Sequence, residues 1–310
     1  MENKFQNDTQ YDDEIDLREL FGVLWAGKIK IIALTALFAV ASVIYALSVP
    51  NQYKAMALLA PAQSDGGGLS SSLGQLGGLA SLAGVSLGGN QSSEVLIAQE
   101  IMKSWSYIEG FIAEKGIAVE VFAATGWRAD SNALEINPDI YDVEKDEWLT
   151  EDDTGTITPP SGWQLFKAFE QKLSISSDQQ SGLISISIEY YSPLIAKQWV
   201  DMYVDSINRF MQQQQVNKVS RNIEYLQDQI EKTSIAEMRE VFYSIIEEQT
   251  KNKMLAEASP DYVFVEVGRT MLPEVVSQPR RALICILGTL LGGMLSVLLV
   301  LIMHYARKPA

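Results

Sequence analysis

The sequence holds one histidine, His304, and one cysteine, Cys285, both near its C-terminal end. Between Asn51 and Arg281 there is neither. That absence excludes Ser-His-Asp catalysis, Cys/His metal spacing and disulfides from the long middle region. A region without cysteine also tolerates an oxidising compartment without forming wrong bridges. No glycine loop is followed by Lys-Ser or Lys-Thr, so a nucleotide-type phosphate cradle is missing too. His304 reads as an interfacial polar residue rather than a ligand or a base. Carboxylates are what remains. Asp139, Asp142, Glu144, Asp146, Glu147, Glu151, Asp152 and Asp153 crowd one stretch. Two carboxylates suffice for a glycosidase. Acidic loops are more often solvated surface, however, and this one lacks calcium-loop spacing. The expectation is a protein that is not an enzyme and holds no cofactor or metal.

Charge is missing from two runs. Ile31 to Val49 is 19 residues without a charged side chain, and Ala282 to Met303 is 22. About 20 apolar residues in a helix cover the ~30 Å of bilayer hydrocarbon. A buried helix of a soluble protein seldom stays uncharged on every face for so long. Both runs therefore read as transmembrane helices. A signal peptide fits the first run less well, because the run is long, starts late and follows an acidic segment. Two spans put both termini on one side. Lys28, Lys30, Arg307 and Lys308 mark that side as cytoplasmic by the positive-inside rule, with Arg280 and Arg281 on the other side opposing it.

Basic residues are scarce between the spans. That region carries essentially the whole net charge of −15. Such a surface is soluble and repels nucleic acid, which is discarded as a partner. The expected organisation is a cytoplasmic tail over 1–28, a span over 29–49, a domain over 50–281, a second span over 282–303 and a short tail over 304–310.

Local patterns place elements within this frame. Ile15 to Trp25 has amphipathic helical spacing with Asp16 as a cap, a short helix at the head groups with Trp25 as an anchor or a docking helix for a cytoplasmic partner. Gln52 to Ala60 reads as a strand ended by Pro61. Residues 66–89 hold nine glycines and six leucines. Leu73, Leu76, Leu79 and Leu82 recur every third residue there, which reads as a mobile loop or a contact surface for a neighbour. Ser93 to Lys115 reads as a helix capped by Ser92 or Ser93, and Ala129 to Pro160 as loop. Ser161 and Gln164 stand in capping-box spacing ahead of a helix to Lys172. Leu173 to Ser176 and Gly182 to Glu189 read as strands. Ile184, Ile186 and Ile188 alternate with polar residues, as a half-buried strand requires. Ser192 and Pro193 start a helix whose spacing persists over 193–257, with Pro260 as the stop. Val219, Ile223, Leu226 and Ile230 form a narrow seam on it, fit for one neighbouring helix. Ile235, Met238, Phe242 and Ile245 continue in a shifted frame, which predicts a stutter or bend. Tyr262 to Val267 reads as a strand. In the second run Gly288, Gly292 and Gly293 fit a close approach to another span, in the same chain or a neighbour.

One family combines these features. Asp13-Glu14-Ile15-Asp16-Leu17-Arg18-Glu19-Leu20, then Leu24-Trp25 and a span, resembles the start of the chain-length determinant (Wzz) family. So do Tyr53-Lys54-Ala55 opening a strand, the Gly/Leu-rich stretch, and the run from Leu272-Pro273-Glu274 through Pro279-Arg280-Arg281 into Gly288 to Gly293. These proteins are polysaccharide co-polymerases of bacterial cell-surface glycan synthesis. The resemblance implies an α+β fold: two transmembrane helices flanking a periplasmic α/β base with a long extended helix, in a ring-shaped homo-oligomer of about eight subunits. It implies an inner-membrane protein with both tails cytoplasmic. It also implies control of the modal length of O-antigen or a related polymer, beside a Wzy-type polymerase and its lipid-linked or growing polysaccharide, without bond chemistry of its own. No tyrosine-kinase domain or tyrosine-rich tail follows Ala310, as expected for the branch that works with such a polymerase. Two other classes share the layout: a two-span sensor and an adaptor of an envelope export machine.

Overall fold

Alternation builds the central sheet. A computed structural model describes residues 17–62, 90–151, 155–178 and 180–305. They fall into two units, Asn51–Ser277 and the pair Met1–Pro50 with Gln278–Ala310. In the first unit, strand β1 (Gln52–Pro61) buries Ala55, Ala57 and Leu59 and exposes Met56 and Leu58. Strand β7 (Ile184–Tyr190) buries Ile184, Ile186, Ile188 and Tyr190. The two pair antiparallel with Ala55 opposite Ile188, Ala57 opposite Ile186 and Leu59 opposite Ile184. In the first two pairs a small residue on β1 stands opposite a large one on β7. Strand β6 (Leu173–Ser177) flanks β7, and β8 (Phe264–Gly268) flanks β1 on its other side, giving the order β6-β7-β1-β8. A short strand β9 (Val276–Gln278) also pairs with β1.

Helices cover the buried face. Helix α3 (Asn90–Lys103) leads into α4 (Trp105–Lys115) and a single turn, α5 (Ala118–Phe122). One helix was expected over 93–115. The chain instead breaks at Ser104, whose extended backbone and hydroxyl, accepting from the Tyr107 N–H, start a new helix. The side chains of Ser92 and Ser93 lie outside the described residues. Gly116 closes α4 at φ +64°, a left-handed conformation glycine adopts without strain. Helix α6 (Gly162–Glu170) opens on the capping box: the Gln164 N–H donates to Ser161 Oγ at 3.3 Å, and the Ser161 N–H to Gln164 Oε1 at 2.8 Å. Residues 129–160, expected as loop, contain short pairings. Strands β2 (Ala124–Arg128) and β3 (Ala133–Ile136) form one, and β4 (Tyr141–Asp142) with β5 (Glu147–Trp148) another. Strands of two to five residues leave little or no alternation for a sequence pattern to show.

Helix α7 (Pro193–Lys232) starts as the sequence indicates, with the Ser192 hydroxyl accepting from the Ile195 N–H and proline in the first turn. Its first half lies on the sheet and buries Ala196, Trp199, Val200, Tyr203, Val204 and Ile207. Trp199, Tyr190, Tyr203, Phe111 and Phe169 fill the layer between, with centroids 4.4 to 5.8 Å apart at tilted or edge-on angles. Such aromatic pairs add to the ~1.5–3 kcal/mol that each buried large side chain contributes. The expected single helix over 193–257 is corrected. The chain leaves the helix at Thr233, with Thr233 and Ile235 extended, and returns as α8 (Ala236–Glu257). Arg239 donates from Nε and Nη2 to the Thr233 carbonyl at 3.0 and 2.7 Å, satisfying a helix-terminal acceptor. Folding back lets two narrow apolar stripes cover each other, which one extended helix of ~95 Å would leave in water.

Lys172 is half-buried, with its ammonium turned onto backbone carbonyls. Its Nζ donates to the carbonyls of Val121 at 3.2 Å and Ala168 at 3.0 Å. Burial pushes its pKa down from 10.5 to about 8. The unfolded chain then binds the proton more tightly than the fold does, so stability should rise as pH climbs from about 8 towards 10.5. Tyr190, Tyr203 and Tyr262 oppose this at higher pH, because burial raises each of them and favours the neutral form. Denaturant titrations of the full-length protein across pH 7–10 should show the rise. Lys172→Met should remove it and stabilise the protein near neutrality by about 1–3 kcal/mol, the lost carbonyl contacts offsetting part of the gain. An unchanged slope in the variant would place the ammonium in water.

The second unit is a pair of apolar helices, α2 (Lys28–Ser48) and α9 (Arg281–Tyr305). Both are long and apolar enough to cross a membrane, and only 6% and 17% of their most apolar windows are buried within the protein. Leu37, Val40, Ile44, Leu290, Leu291 and Leu298 are among the side chains left exposed. A core helix of a soluble protein would cover them. Helix α1 (Leu17–Ala26) precedes α2, with Val23 buried and Phe21 and Trp25 exposed. The Lys28 ammonium stands over the Trp25 ring, 4.4 Å from its centroid.

Candidate functional site

Small residues let the two apolar helices meet. Along α9, Gly288, Gly292, Ser296 and Val300 recur every fourth residue, one stripe of the helix. Against them on α2 and its start lie Ser42, Phe38, Thr35 and Gly27, in reverse order, so the helices run antiparallel. A Cβ at Gly288 would stand 2.5 Å from Ser42 Cβ, and one at Gly292 would stand 2.4 Å from Phe38 Cβ. Neither gap admits a side chain. Gly293 differs, since a Cβ there would meet Thr35 only at 3.9 Å, an ordinary contact. Gly27 is as tight as the first two, with Val300 Cγ1 at 2.5 Å from its would-be Cβ. The Thr35 and Ser296 hydroxyls share a hydrogen bond of 3.2 Å across the seam. Near the Arg281 end, Arg281 Nε donates to the Ala46 carbonyl at 3.2 Å. Thr35, Phe38, Ser42 and Ser296 did not stand out in the sequence. Ser296 had a readable signal, because it continues the four-residue period of the glycines.

The helical hairpin is a second seam. Val219 is buried, whereas Ile223, Leu226 and Ile230 are half-buried. The half-buried positions of α8 are Phe242, Ile245, Ile246, Gln249 and Lys253, at the same 3–4 spacing. Met238 and Ile235, assigned to the stripe by spacing, are 42% and 55% exposed. Ile235 belongs to the connection, where helical periodicity no longer applies. The base of the hairpin is fastened by Gln212, whose Nε2 donates to the Ala256 and Ser259 carbonyls at 2.9 and 3.0 Å. Close by, the buried Asn208 ties helix to sheet. Its Oδ1 accepts from the Val263 and Phe264 N–H groups at 3.1 and 2.9 Å, and its Nδ2 donates to the Phe264 carbonyl at 2.8 Å. Asn208 carries no motif, and only the return of the chain at β8 reveals its role.

The remaining positions lie apart from these seams. Pro273 and Pro279 are half-buried in the irregular segment around β9. Leu73, Leu76, Leu79 and Leu82 lie outside the described residues, as do Asp152 and Asp153. Within the acidic stretch, carboxylates serve local turns. Asp142 accepts from the backbone N–H groups of Glu144 and Lys145, and the Lys145 ammonium, 3.0 Å away, helps hold it below the usual carboxylate range. The Tyr141 hydroxyl donates to Asp146. Among the described residues no group of His, Cys, Asp and Glu is arranged to hold a metal ion. Glu266 is raised by burial and by the nearby Asp201, Asp205 and Asp261.

Comparison with known proteins bears on the N-terminal third. Residues 13–114 match the family model of the chain length determinant protein, Wzz. The matched segment runs through the first apolar helix and β1 to the end of α4. No curated protein matches the chain. Among solved structures, a full-length bacterial polysaccharide co-polymerase is similar at 14% identity, over 94% of this chain and 99% of that one, with a TM-score of 0.43.

Proposed function

We propose that this chain is a chain-length determinant of the Wzz type, a polysaccharide co-polymerase that sets polymer length without making or breaking glycosidic bonds. The match of residues 13–114 to that family carries the reading. The two helices long and apolar enough to cross a membrane, on either side of a mixed helix and sheet unit, support it. In this reading the protein sits in a bacterial inner membrane, with both tails cytoplasmic and the acidic unit periplasmic. Copies assemble into a closed ring, a Wzy-type polymerase supplies the chemistry, and the growing lipid-linked polysaccharide is the common client.

A length regulator needs only differential binding. Modal length follows from the ratio of extension to release, and a change of ~1.4 kcal/mol in either barrier shifts that ratio tenfold. An oligomer that holds polymerase and polymer together can supply such a change with no catalytic residue. The test is the glycan ladder of a deletion strain and of the strain with the gene restored. Deletion should randomise polymer length while polymer is still made and exported. Loss of export would instead mark an export adaptor, and an unaltered ladder would mark a sensor.

A further inference from the structure

A cleft of about 400 Å³ opens between α4 and α7, within the ~300–1,000 Å³ usual for small-molecule sites. The rings of Tyr107 and Phe111 lie on its inner side, and Phe210, 37% exposed, forms a wall. Tyr107 and Phe210 meet edge-on, with centroids 5.4 Å apart. Polar groups rim the opening: Arg209, Glu114 and Gln213.

Three observations mark the cleft as more than a packing defect. Gly110 lies in the middle of α4, where glycine weakens a helix, yet a Cβ there would meet nothing within 4 Å. Packing within the chain does not require glycine at this position, and its bare backbone keeps the cleft open. Arg209 makes no hydrogen bond or ion pair among the described residues, although Glu114 is near enough to feel its charge. The Tyr107 hydroxyl is buried and completes no bond of ordinary geometry, with Ser206 beside it. Native proteins seldom leave such an atom without a water or a ligand group.

The chemistry selects the occupant. An exposed aromatic face takes the C–H face of a sugar ring, and a guanidinium, a carboxylate and an amide around it match a ring of hydroxyls, which both donate and accept. A peptide strand would need a sheet edge, whereas both walls are helices whose backbone groups are bonded internally. A polyanion such as nucleic acid would be repelled by the acidic chain. We propose that the α4–α7 cleft binds a pyranose unit, with Phe210 as the stacking platform and Arg209 and Glu114 as hydroxyl partners. The proposal rests on the polysaccharide reading for the source of that sugar.

Saturation-transfer NMR on the full-length protein in detergent tests it, with methyl glucoside, methyl N-acetylglucosaminide and methyl glucuronide as probes. At least one should receive saturation. Phe210→Ala and Gly110→Leu should each cut the transfer tenfold or more. Gly110→Leu projects into open space and replaces a helix-weakening glycine, so its melting temperature should equal or exceed the parent's. Stronger transfer to the glucuronide would assign Arg209 the leading part, and stronger transfer to the neutral sugars would assign it to Phe210. Absence of transfer to all three, or equal transfer in both variants, would overturn the proposal. If deletion of the gene still randomised polymer length in that case, the cleft assignment alone would fall and the length-control reading would stand.

Discussion

Gly292→Leu should force the two apolar helices apart. A Cβ at this position would stand only 2.4 Å from Phe38 Cβ, and leucine adds three further carbons beyond it. One helix must shift, because both partners of the clash stand next to backbone. Overpacking of this kind costs ~1–3 kcal/mol in soluble cores. In a bilayer no hydrophobic force restores the pair, since lipid tails are as apolar as the lost contact. The Thr35–Ser296 hydrogen bond then breaks as well, for another ~0.6 kcal/mol. Pairing should fall by about one to two and a half orders of magnitude. Gly288→Leu should act alike through Ser42, whereas Gly293→Leu, with 3.9 Å of room, should do much less. Cysteines placed at Thr35 and Ser296 in a Cys285→Ala background report the contact directly. They should cross-link in the parent and in Gly293→Leu, and fail to do so in Gly292→Leu. Equal cross-linking in all three would remove the proposed helix contact. With the length-control reading, Gly292→Leu should also broaden the polymer distribution at unchanged protein abundance.

Asn208→Leu should be the most damaging single change in the acidic unit. Three hydrogen bonds end on this one buried side chain, and all three partners are backbone groups of Val263 and Phe264. Leucine fills a similar volume but leaves two N–H groups and a carbonyl without partners. Each buried orphan costs ~1–3 kcal/mol. The sum of ~3–9 kcal/mol is a large part of the 5–15 kcal/mol by which domains are stable. The urea midpoint of the full-length protein should drop sharply, with β8 released first. Asp205→Asn, an exposed change three residues earlier on the same helix, should leave the midpoint nearly unchanged. If both variants unfolded together with the parent, Asn208 would not be what fastens β8.

What was legible in the sequence follows from the range of the interactions. Uncharged runs of 19 and 22 residues mark the apolar helices, because that pattern is carried by composition alone. The starts of α6 and α7 are legible because Ser161 with Gln164, and Ser192 with Pro193, act within four residues of themselves. The Ile184, Ile186 and Ile188 alternation marks β7 for the same reason. Between α7 and α8 the shifted frame after Ile230 marked a bend, and the structure breaks the helix there, but the full reversal into a hairpin was not legible. No proline or glycine marks Thr233 to Ile235, and the reversal is favoured by stripes that meet only once it has been made. The break at Ser104 was hidden likewise, since helical spacing runs on across it. Glycine contacts were readable on α9 but their partners on α2 were not. Phe38 and Ser42 occupy their places because of what lies 250 residues away. The α4–α7 cleft has no sequence signature at all, for its walls come from two segments about 100 residues apart.

The position of β1 in the sheet governs how the chain can be made. Residues 52–61 leave the ribosome early, yet their neighbours β7 and β8 end at Tyr190 and Gly268. At ~5–20 residues per second, the first strand waits roughly 10–40 s for its second neighbour. Through that time its edges and the apolar face of Ala57 and Leu59 have no cover from the finished sheet. The acidic unit therefore closes late, as one cooperative event of high contact order, near the moment when the second apolar helix is itself being synthesised. Its last strand before that helix, β9, comes to lie beside its first. In a growing chain, completion of the acidic unit and synthesis of the second apolar helix become almost the same step.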